Sequence, residues 1–374
     1  MTLFLLIISI AYTILIINIF FGFHRVATFN LPSKITPKTR FSIVIPFRNE
    51  AQNLPKLLQS IDKLEYPKSL FEVILIDDAS EDASSCIVHD AIKEKHNIVE
   101  FKNKRCTNSP KKDAITQAIS KAKYEWIVTT DADCILPKNW LKTFDAYIQQ
   151  SNAYAIAAPV IYSYQNHFFY DFQLLDIISL QITTIGTFGL GIPFLCNGAN
   201  FAYKKELFDE LNGFEGNTDI ASGDDIFLLQ KIKTKYRDHL HYLKSKYVIV
   251  KTQPQHSVSS LISQRVRWAS KMTASSIYSK SIGGLVFLMN LGVILSIIHI
   301  LAYGLKPSTW YVLLLILKFS LDVTILYLGS VFFSVEKTMK SYMSSFFIYP
   351  LFSVCVVLLS IFSKFSWKGR EFKK

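Results

Sequence analysis

Uncharged hydrophobic residues gather in long stretches at both ends of the chain. The first, residues 2–23, contains no charged side chain, and three more occupy residues 281–305, 310–335 and 341–363. A helix needs about 20 apolar residues to cross the hydrocarbon core of a bilayer. The pattern therefore predicts an N-terminal transmembrane anchor at 1–24, and a C-terminal transmembrane region of two or three helices with a basic tail at 281–374.

The charges around these stretches indicate their orientation. The first stretch lacks the basic start and the small-residue cleavage site of a signal peptide, so we interpret it as a retained anchor. His24, Arg25 and a lysine-rich linker follow it, and the positive-inside rule places them in the cytoplasm. Residues 364–374 carry five basic residues and one acidic residue, which favours the same side. Four spanning helices would leave this tail outside. We therefore expect one C-terminal stretch to be re-entrant or interfacial, with the Pro350 segment as the candidate.

Between the two ends, short β-branched and aromatic runs alternate with segments whose apolar residues recur at helical spacing. The predicted strands are residues 41–46, 71–76, 98–101 and 126–130. Strands that alternate with helices at this spacing predict a parallel, doubly wound sheet. We therefore expect an α/β domain at 40–255, followed by a further helix at 256–280.

Carboxylates follow two of the predicted strands. Asp77 and Asp78 come directly after the second strand, and Asp131 and Asp133 follow the strand at 126–130. Open α/β sheets bind ligands beyond the carboxyl ends of their strands. Two carboxylates one residue apart can bind one hard divalent cation, which keeps its other positions for water and phosphate oxygens. A lone pair of this kind is also compatible with a solvated strand end, so the interpretation depends on the remaining motifs.

Composition and charge narrow the class of protein. Half of the residues are hydrophobic and the mean hydropathy is +0.25, which argues against a purely soluble protein. The net charge of +12 is typical of cytoplasmic flanks that face anionic lipid headgroups, and no nucleic-acid recognition motif accompanies it. The five cysteines form no C-x-x-C pair, which predicts free thiols in a reducing compartment. Lys318 and Asp322 lie four residues apart in the second C-terminal stretch, where we expect them to pair.

The segment at 256–280 predicts an amphipathic helix at the membrane interface. Its centre reads Gln264-Arg-Val-Arg-Trp268. A helical projection separates an apolar face from Arg265 and Lys271. The residues predicted on the apolar face are Leu261, Ile262, Trp268, Ala269 and Met272.

Seven short motifs occur in a fixed order along the chain. They are Val44-Ile-Pro-Phe-Arg-Asn-Glu50, Ile76-Asp-Asp-Ala-Ser-Glu-Asp82, Lys111-x-x-Ala-Ile115, Thr130-Asp-Ala-Asp133, Gly198-Ala-Asn-Phe-Ala-Tyr203, Gly223-Asp-Asp225 and Gln264-x-x-Arg-Trp268. In this order they resemble the membrane-bound inverting glycosyltransferases of family two. Ala79 stands where the family commonly has Gly, and Asp224 stands where it often has Glu. Neither departure removes a carboxylate.

The resemblance implies a Rossmann-like, nucleotide-sugar-binding domain of the GT-A type. Pro46, Glu50 and Asp78 would line the nucleoside pocket. Lys111 would face the diphosphate, and Asp131 would contribute to donor binding. Asp131 and Asp133 would bind Mg²⁺ or Mn²⁺, a Lewis acid that assists departure of the nucleotide.

The resemblance also implies the residues on the acceptor side. Asp225 matches the base that deprotonates the acceptor hydroxyl, with Asp224 beside it. Gln264, Arg267 and Trp268 match a site for the diphosphate and the acceptor, since Arg suits phosphate and Trp offers a stacking face for a sugar. The alternatives are an ordinary helix start at the two aspartates and an interfacial anchor at Trp268.

Four further residues receive weaker assignments. Asn197 and Asn200 are candidate acceptor-side contacts. Asp82 supports the nucleoside loop or complements the dipole at a helix N-terminus. Lys112 is expected to be a solvated surface charge.

The acceptor is the least constrained part of the prediction. The closing Trp367-Lys-Gly-Arg370 resembles the lipid and carotenoid glucosyltransferase branch and favours transfer of one hexose to a membrane lipid. A processive polysaccharide synthase is the alternative, because the Gln-x-x-Arg-Trp motif also occurs there. A non-catalytic nucleotide-sugar-binding scaffold is the remote alternative, since such a protein would be expected to lose one of the site carboxylates.

The predicted setting is the cell membrane, inner or plasma, which the chain crosses several times with its catalytic domain in the cytoplasm. The partners implied are a nucleotide-diphosphate sugar, a membrane lipid acceptor and the bilayer, and not nucleic acid.

Overall fold

The computed structural model describes residues 2–94, 97–218, 223–270, 277–362, 365–367 and 370–372. The helices of this part of the chain are α1 (Thr2–Arg25), α2 (Leu54–Asp62), α3 (Ser84–Glu94), α4 (Pro110–Lys121), α5 (Trp140–Gln150), α6 (Phe168–Gly189), α7 (Lys205–Glu210), α8 (Asp224–Tyr236), α9 (Val258–Ser270), α10 (Ile277–Tyr303), α11 (Thr309–Phe333) and α12 (Tyr342–Phe362). The strands are β1 (Phe41–Phe47), β2 (Phe71–Asp77), β3 (Ile98–Lys102), β4 (Trp126–Thr129), β5 (Ala155–Ala157), β6 (Val160–Tyr162), β7 (Phe201–Lys204), β8 (Leu240–Tyr242), β9 (Val250–Thr252), β10 (Phe365–Trp367) and β11 (Arg370–Phe372).

By its internal contacts the chain divides into two compact units. The sheet unit comprises Val26–Ser163 and Leu195–Gln253. The helical unit comprises Met1–Arg25, Tyr164–Phe194 and Pro254–Lys374. The predicted domain at 40–255 contains Tyr164–Phe194, which by these contacts belongs to the helical unit, and the domain bounds stay a prediction.

A seven-stranded sheet of order β3-β2-β1-β4-β7-β5-β8 forms the sheet unit, and β6 pairs with β9 beside it. The first four strands in this order are parallel, as predicted. The all-parallel prediction is wrong beyond β4, because β7 runs antiparallel to both β4 and β5. Thr129 at the end of β4 stabilises this pairing, since its hydroxyl donates to the carbonyl of Phe201 at 3.2 Å.

The core explains why the central strands are continuous apolar runs. All seven residues of β2 are buried, as are six of the seven in β1. Strands covered by helices on both faces are apolar on both faces, unlike strands with one solvated face. Trp140 and Phe144 of α5 fill the core beneath the sheet and are fully buried. This rigid sheet fixes the positions of the loops at its carboxyl edge.

The helical unit contains four helices long and apolar enough to cross a membrane, at Leu3–Arg25, Ile277–Tyr303, Thr309–Phe333 and Glu336–Phe362. They coincide with the four predicted stretches. A fifth long helix, α6, was not predicted from the sequence. Its apolar pattern is interrupted by the buried polar residues Asp171, Gln173 and Asp176, whose partners lie elsewhere in the helical unit.

Helices α1 and α6 pack with their backbones in direct contact. A Cβ atom at Gly22 would lie 2.1 Å from the carbonyl oxygen of Gly186, and one at Gly189 would lie 1.8 Å from the carbonyl oxygen of Gly22. Both distances are far below van der Waals contact, so only glycine fits at these positions. Small residues that admit such close approach are typical of helix pairs in membranes.

Helix α12 continues through Pro350 without a break. The hydroxyl of Tyr342, its first residue, donates to the carbonyl of Phe319 in α11 at 2.8 Å. Further along, Asn290 of α10 donates to the hydroxyl of Ser353 at 3.2 Å. Both contacts lie near the middle of the α10–α11 pair.

The predicted pair in the second C-terminal stretch is confirmed. The ammonium of Lys318 donates to Asp322, and the hydroxyl of Tyr12 in α1 donates to the same carboxylate at 2.6 Å. The pair is therefore satisfied within the helical unit.

The prediction for Arg265 is wrong. Arg265 lies with Leu261 and Val266 on the buried side of α9, because a partner carboxylate in α6 compensates its charge. Residues 271–276, which include the predicted Lys271 and Met272, lie outside the described residues.

Candidate active site

The predicted donor and catalytic residues of the sheet unit meet at the carboxyl edge of the sheet. Asp131 and Asp133 follow β4, and Lys111 lies in the first turn of α4. Asp224 and Asp225 begin α8, directly after Gly223, whose φ of 86° is in the left-handed region that favours glycine. Four carboxylates and one lysine are thus presented by three separate segments.

Lys111 holds two of these carboxylates together. Its Nζ lies 2.8 Å from Asp131 Oδ1 and 3.4 Å from Asp224 Oδ2. Burial alone would lower the pKa of Lys111, but the charges of Asp131 and Asp224 raise it well above its ordinary value. The side chain is therefore a fixed cation at neutral pH, at the place where the resemblance implies a diphosphate.

Asp225 is held by a different segment. Its Oδ2 accepts a hydrogen bond from the backbone N–H of Gly198 at 3.1 Å. Gly198 itself is held by Thr129, whose hydroxyl donates to the Gly198 carbonyl at 2.7 Å. A Cβ atom at Gly198 would lie 3.1 Å from Asp224 Oδ2 and 3.4 Å from Asp225 Cβ, so a side chain there would crowd both carboxylates. The contact with Gly198 gives Asp225 a defined position, which a plain helix start does not require.

Asp133 is oriented by a residue that sequence reasoning missed. The hydroxyl of Thr252, at the end of β9, donates to Asp133 Oδ2 at 3.0 Å. The neighbouring Cys134 is buried, and burial together with the charges of Asp133 and Asp131 raises the pKa of its thiol well above its ordinary value. Cys134 is therefore an unreactive thiol. A β-branched hydroxyl residue in a short strand gives no signal of such a role.

The donor set fits a hard divalent cation. Asp131 and Asp133 supply carboxylate oxygens, the ligands that Mg²⁺ and Mn²⁺ prefer in proteins. Among the described residues, no three His, Cys, Asp or Glu side chains are grouped as a complete protein site. A cation at this pair would therefore take its other ligands from phosphate oxygens and water.

Asp78 is buried and accepts hydrogen bonds from several neighbouring side chains. Its Oδ1 accepts from Asn103 Nδ2 at 2.9 Å and from Arg105 Nε at 2.7 Å. The guanidinium of Arg48 donates to the Asp78 backbone carbonyl at 2.9 Å. The sequence pattern identified Asp78 but not Asn103, Arg105 and Arg48, since the first two follow the next strand along the chain.

The first motif forms a loop beside this network. Glu50 accepts a hydrogen bond from Asn53 at 2.7 Å, and its backbone N–H donates to the Ser84 hydroxyl at 2.7 Å. Asp82 accepts from the N–H of Ser84, the first residue of α3, and from the N–H of Ala51. Slight burial raises the pKa of Asp82, but the hydrogen bonds that its carboxylate accepts outweigh this effect and lower the pKa below its ordinary value. Asp82 therefore supports the loop and also complements the start of α3. Pro46 lies in β1, in register with Ile76.

Two of the weaker predictions are wrong. Lys112 is only 1% exposed; its ammonium donates to the carbonyl of Asn217 at 2.6 Å and lies 4.8 Å from the ring centre of Phe227. Asn200 is fully buried and binds the core through Trp140 and two backbone carbonyls, so it does not face an acceptor. The other acceptor-side candidate is Asn197. Its side-chain carbonyl accepts a hydrogen bond from the N–H of Ala199 at 3.0 Å.

Gln264, Arg267 and Trp268 lie on α9 in the helical unit. The guanidinium carbon of Arg265 lies 4.2 Å from the centre of the Trp268 ring. Their predicted role toward diphosphate and acceptor stays a prediction.

Comparison with known proteins agrees with this arrangement. Residues 42–211 match the family "Glycosyl transferase family 2". The poly(ribitol-phosphate) beta-N-acetylglucosaminyltransferase TarS of Staphylococcus aureus is 29% identical over 114 residues, covering 30% of this chain and 20% of TarS. The beta-monoglucosyldiacylglycerol synthase of Trichormus variabilis is 25% identical over 237 residues, covering 61% of this chain and 48% of the synthase. The matched segments thus span less than half of either relative.

A solved structure shows the same fold. The mannosyltransferase PcManGT from Pyrobaculum calidifontis, in complex with GDP-Man and Mn²⁺, superposes with a TM-score of 0.57 at 15% identity, over 96% of this chain and 99% of that one. At this identity the likeness concerns the fold alone. Together with the family match, it shows that residues 42–211 form a glycosyl transferase family 2 domain on a GT-A fold.

Proposed function

We propose that this protein transfers one hexose from a nucleotide-diphosphate sugar to a membrane lipid, with inversion at the sugar carbon. The observation that carries the proposal is the group formed by Lys111, Asp131 and Asp224, with Asp133 and Asp225 beside it at the carboxyl edge of the sheet. This group combines a fixed cation, a carboxylate pair for a metal ion and a separately held carboxylate. An inverting transfer uses all three.

The donor side follows from the charges. Asp131 and Asp133 would hold Mg²⁺ or Mn²⁺ together with the two phosphates, and the bound ion would supply Lewis-acid assistance to the leaving nucleotide. Lys111 adds positive charge where the diphosphate gains negative charge. Asp78 and Glu50 would accept hydrogen bonds from the nucleoside. The Mn²⁺ and GDP-Man in the related mannosyltransferase structure support a donor and a cation of these classes.

The acceptor side needs a base on the opposite face of the sugar. Asp225 would accept the proton of the acceptor hydroxyl as that oxygen forms the new bond to the sugar carbon. One of its carboxylate oxygens is fixed by the Gly198 N–H, which orients the group without a large side-chain motion. Gln264, Arg267 and Trp268 would bind the acceptor and the diphosphate.

Two observations favour a lipid acceptor. The helical unit contains four helices that could span a membrane. The match to the glycolipid synthase covers 61% of the chain, whereas that to the polymer-glycosylating TarS covers 30%. We place the protein in the cell membrane with its catalytic unit in the cytoplasm, where nucleotide sugars are made and where a lipid would enter from the inner leaflet.

A polymer acceptor is the second candidate, because TarS shares 29% identity over its matched segment. The scaffold alternative is disfavoured, since Asp131, Asp133 and Asp225 are all present.

The test is donor turnover by the purified full chain in a native lipid extract. Radiolabelled UDP-glucose, UDP-galactose, UDP-N-acetylglucosamine and GDP-mannose are supplied separately with Mn²⁺ or Mg²⁺, and an Asp225→Asn preparation gives the background. We expect label in a discrete band that is soluble in organic solvent. Label in water-soluble material of high molecular weight would show a synthase and overturn the proposed single transfer.

A further inference from the structure

Helix α6 binds the segment that leads into α9 through a buried amide. The side chain of Gln173 is fully buried, and its Nε2 donates to the carbonyl of Gln255 at 2.9 Å. Its Oε1 accepts from the N–H of the same residue at 2.8 Å. One side chain thus satisfies both backbone groups of Gln255 and fixes the start of the chain entering α9.

A second contact between the same two helices is a buried ion pair. Arg265 Nε lies 2.5 Å from Asp176 Oδ2, and the two side chains are 6% and 5% exposed. The hydroxyl of Tyr349 in α12 donates to the other oxygen of Asp176 at 3.1 Å. A buried ion pair loses much of its Coulomb energy to desolvation, so it is weak evidence for stability. It does require a defined geometry, because either charge alone would be buried without compensation.

Arg265 connects this ion pair to the predicted acceptor residues. Its guanidinium lies over the Trp268 ring, with 4.2 Å between the guanidinium carbon and the ring centre. Its Nη1 donates to the side-chain oxygen of Gln264. Guanidinium groups combine hydrogen bonding with stacking on aromatic faces, which lysine does not reproduce. One arginine therefore contacts two predicted acceptor residues and also pairs with Asp176.

We propose that Asp176 and Arg265 are positioning residues that hold Gln264 and Trp268 in the orientation required for the acceptor. This inference rests on the proposed function, in which Gln264 and Trp268 contact the acceptor or the diphosphate. Asp176 would then act from outside the recognised motif, on a helix that the sequence pattern did not predict, and Arg265 from an unspecified position within the motif. Neither residue takes part in bond making.

The first test compares Asp176→Asn with Asp171→Asn in the full chain. Both aspartates are buried on α6, but Asp171 binds Ser341 and Lys340 rather than α9, so it controls for the general cost of losing a buried charge. With the native lipid extract titrated in mixed micelles, we expect Asp176→Asn to raise the apparent KM for lipid about tenfold to a hundredfold, as small misplacements of binding groups do. Asp176→Glu should restore part of the affinity. Equal effects of the two Asn variants would overturn the inference.

A second test separates positioning from folding. Arg265→Lys keeps the charge that Asp176 requires but loses the planar contact with Trp268. We expect this variant to unfold at nearly the wild-type temperature and still to raise the apparent KM for lipid. A wild-type KM would overturn the role of the stacking contact.

A double-mutant cycle with Trp268→Leu shows whether Asp176 acts through Trp268. We expect the double variant to lose no more lipid affinity than Trp268→Leu alone, because residues acting through one contact are not additive. Additive losses would overturn the inference while leaving the proposed acceptor role intact. If Trp268→Leu alone has no effect on lipid affinity, the acceptor role and the inference both fall.

A readout independent of activity completes the test. An immobilised Trp268 contributes to the near-ultraviolet circular dichroism, measured as the difference from the Trp268→Leu protein. We expect Asp176→Asn to lose this contribution and Asp171→Asn to keep it. Loss in neither variant would overturn the inference even if transfer were never detected.

Discussion

Lys111 and Lys112 are adjacent, yet their side chains have different roles. Lys111 lies between Asp131 and Asp224, while Lys112 is buried against Asn217 and Phe227. In a helix, consecutive residues point about 100° apart, so one can face the site and the next the core. The Lys111-x-x-Ala-Ile motif identified the first lysine. The burial of Lys112 could not be predicted, because its partner Asn217 is distant along the chain. No local sequence pattern indicates a buried lysine.

The position of Asp225 gives the most direct residue-scale prediction. Asp225→Asn keeps the shape and the contact with the Gly198 N–H, but it removes the group that accepts the proton. We expect transfer to fall by about 10²- to 10⁴-fold, the usual contribution of a general base. Nucleotide affinity, measured by isothermal titration, should change little.

The matched control for Asp225→Asn is Asp209→Asn, an exposed aspartate of α7 in the same unit. It should retain wild-type transfer. Severe loss of nucleotide binding in Asp225→Asn would contradict the role as base, since the side chain would then serve the donor.

Asp133 should instead determine metal-dependent binding. We expect Asp133→Ala to lose the Mn²⁺-dependent part of nucleotide affinity, because one of the two carboxylates available to the cation is removed. Thr252→Val, which removes only the hydroxyl that orients Asp133, should lose less. Titrating nucleotide with and without EDTA measures both effects. Normal turnover of Asp133→Ala in EDTA would rule out the metal role.

At the level of elements, α6 shows where hydrophobic patterns fail. The four apolar stretches were predicted within a few residues because charged side chains are absent from three of them and limited to the Lys318–Asp322 pair in the fourth. In α6, the polar residues Asp171, Gln173 and Asp176 are buried as well, and each has a hydrogen-bond partner outside the helix. A helix face that is buried but polar cannot be recognised from the spacing of apolar residues. The same limit made Arg265 look like a surface residue.

The two side-chain contacts of α12 indicate that it crosses the α10–α11 pair at a steep angle. Its contacts at Phe319 and Asn290 lie ten residues into α11 and thirteen residues before the end of α10. At 1.5 Å per residue these points are about 15 and 20 Å from the connection between the two helices. Tyr342 and Ser353 are separated by about 16 Å along α12. If α12 ran parallel to the pair toward that connection, Ser353 would lie about 16 Å closer to it than Tyr342 does. Instead, the contact made by Ser353 lies slightly farther from the connection than the contact made by Tyr342. The following β10 contacts α9.

This geometry predicts the side of the C-terminal tail. We expect a reporter fused after residue 374 to lie on the same side of the membrane as the catalytic unit, in agreement with the basic charge of the tail. Fusions to green fluorescent protein and to alkaline phosphatase distinguish the two sides. An active phosphatase fusion at this position in a bacterial host would show that α12 spans the membrane fully, and fusions after residue 305 provide the opposite-side control.

On the scale of the whole molecule, the two units are interleaved along the chain. The chain leaves the sheet unit after Ser163 and returns to it at Leu195, and α6 lies between. The four parallel strands and the carboxylates that follow two of them could be predicted, because strand runs and strand-end carboxylates are local signals. The antiparallel β7 could not, because its pairing with β4 and β5 joins segments distant along the chain. The assignment of α6 could not, because it depends on contacts with segments before and after the family-matched region.

The interleaving predicts that the catalytic region does not separate cleanly. A protein comprising residues 26–253 would retain α6 without the helices that cover it. Ile178 and Ile182 would be exposed, since they now pack against Gly329 of α11. We expect this protein to associate or to bind detergent, measured by sedimentation velocity with and without detergent micelles. A monomer that is soluble without detergent and binds nucleotide normally would contradict this expectation.

The contact of Gly22 with Gly186 and Gly189 has a consequence for engineering and for comparison among homologues. An N-terminal membrane helix is commonly treated as an exchangeable tether, whose only requirements are length and hydrophobicity. Here its last turn packs directly against the backbone of α6, and at Gly22 any side chain larger than hydrogen would push the two helices apart. Replacing the first 25 residues with a foreign anchor would therefore keep the protein on the membrane but deprive α6, and helix α9 that it contacts through Asp176, of its support.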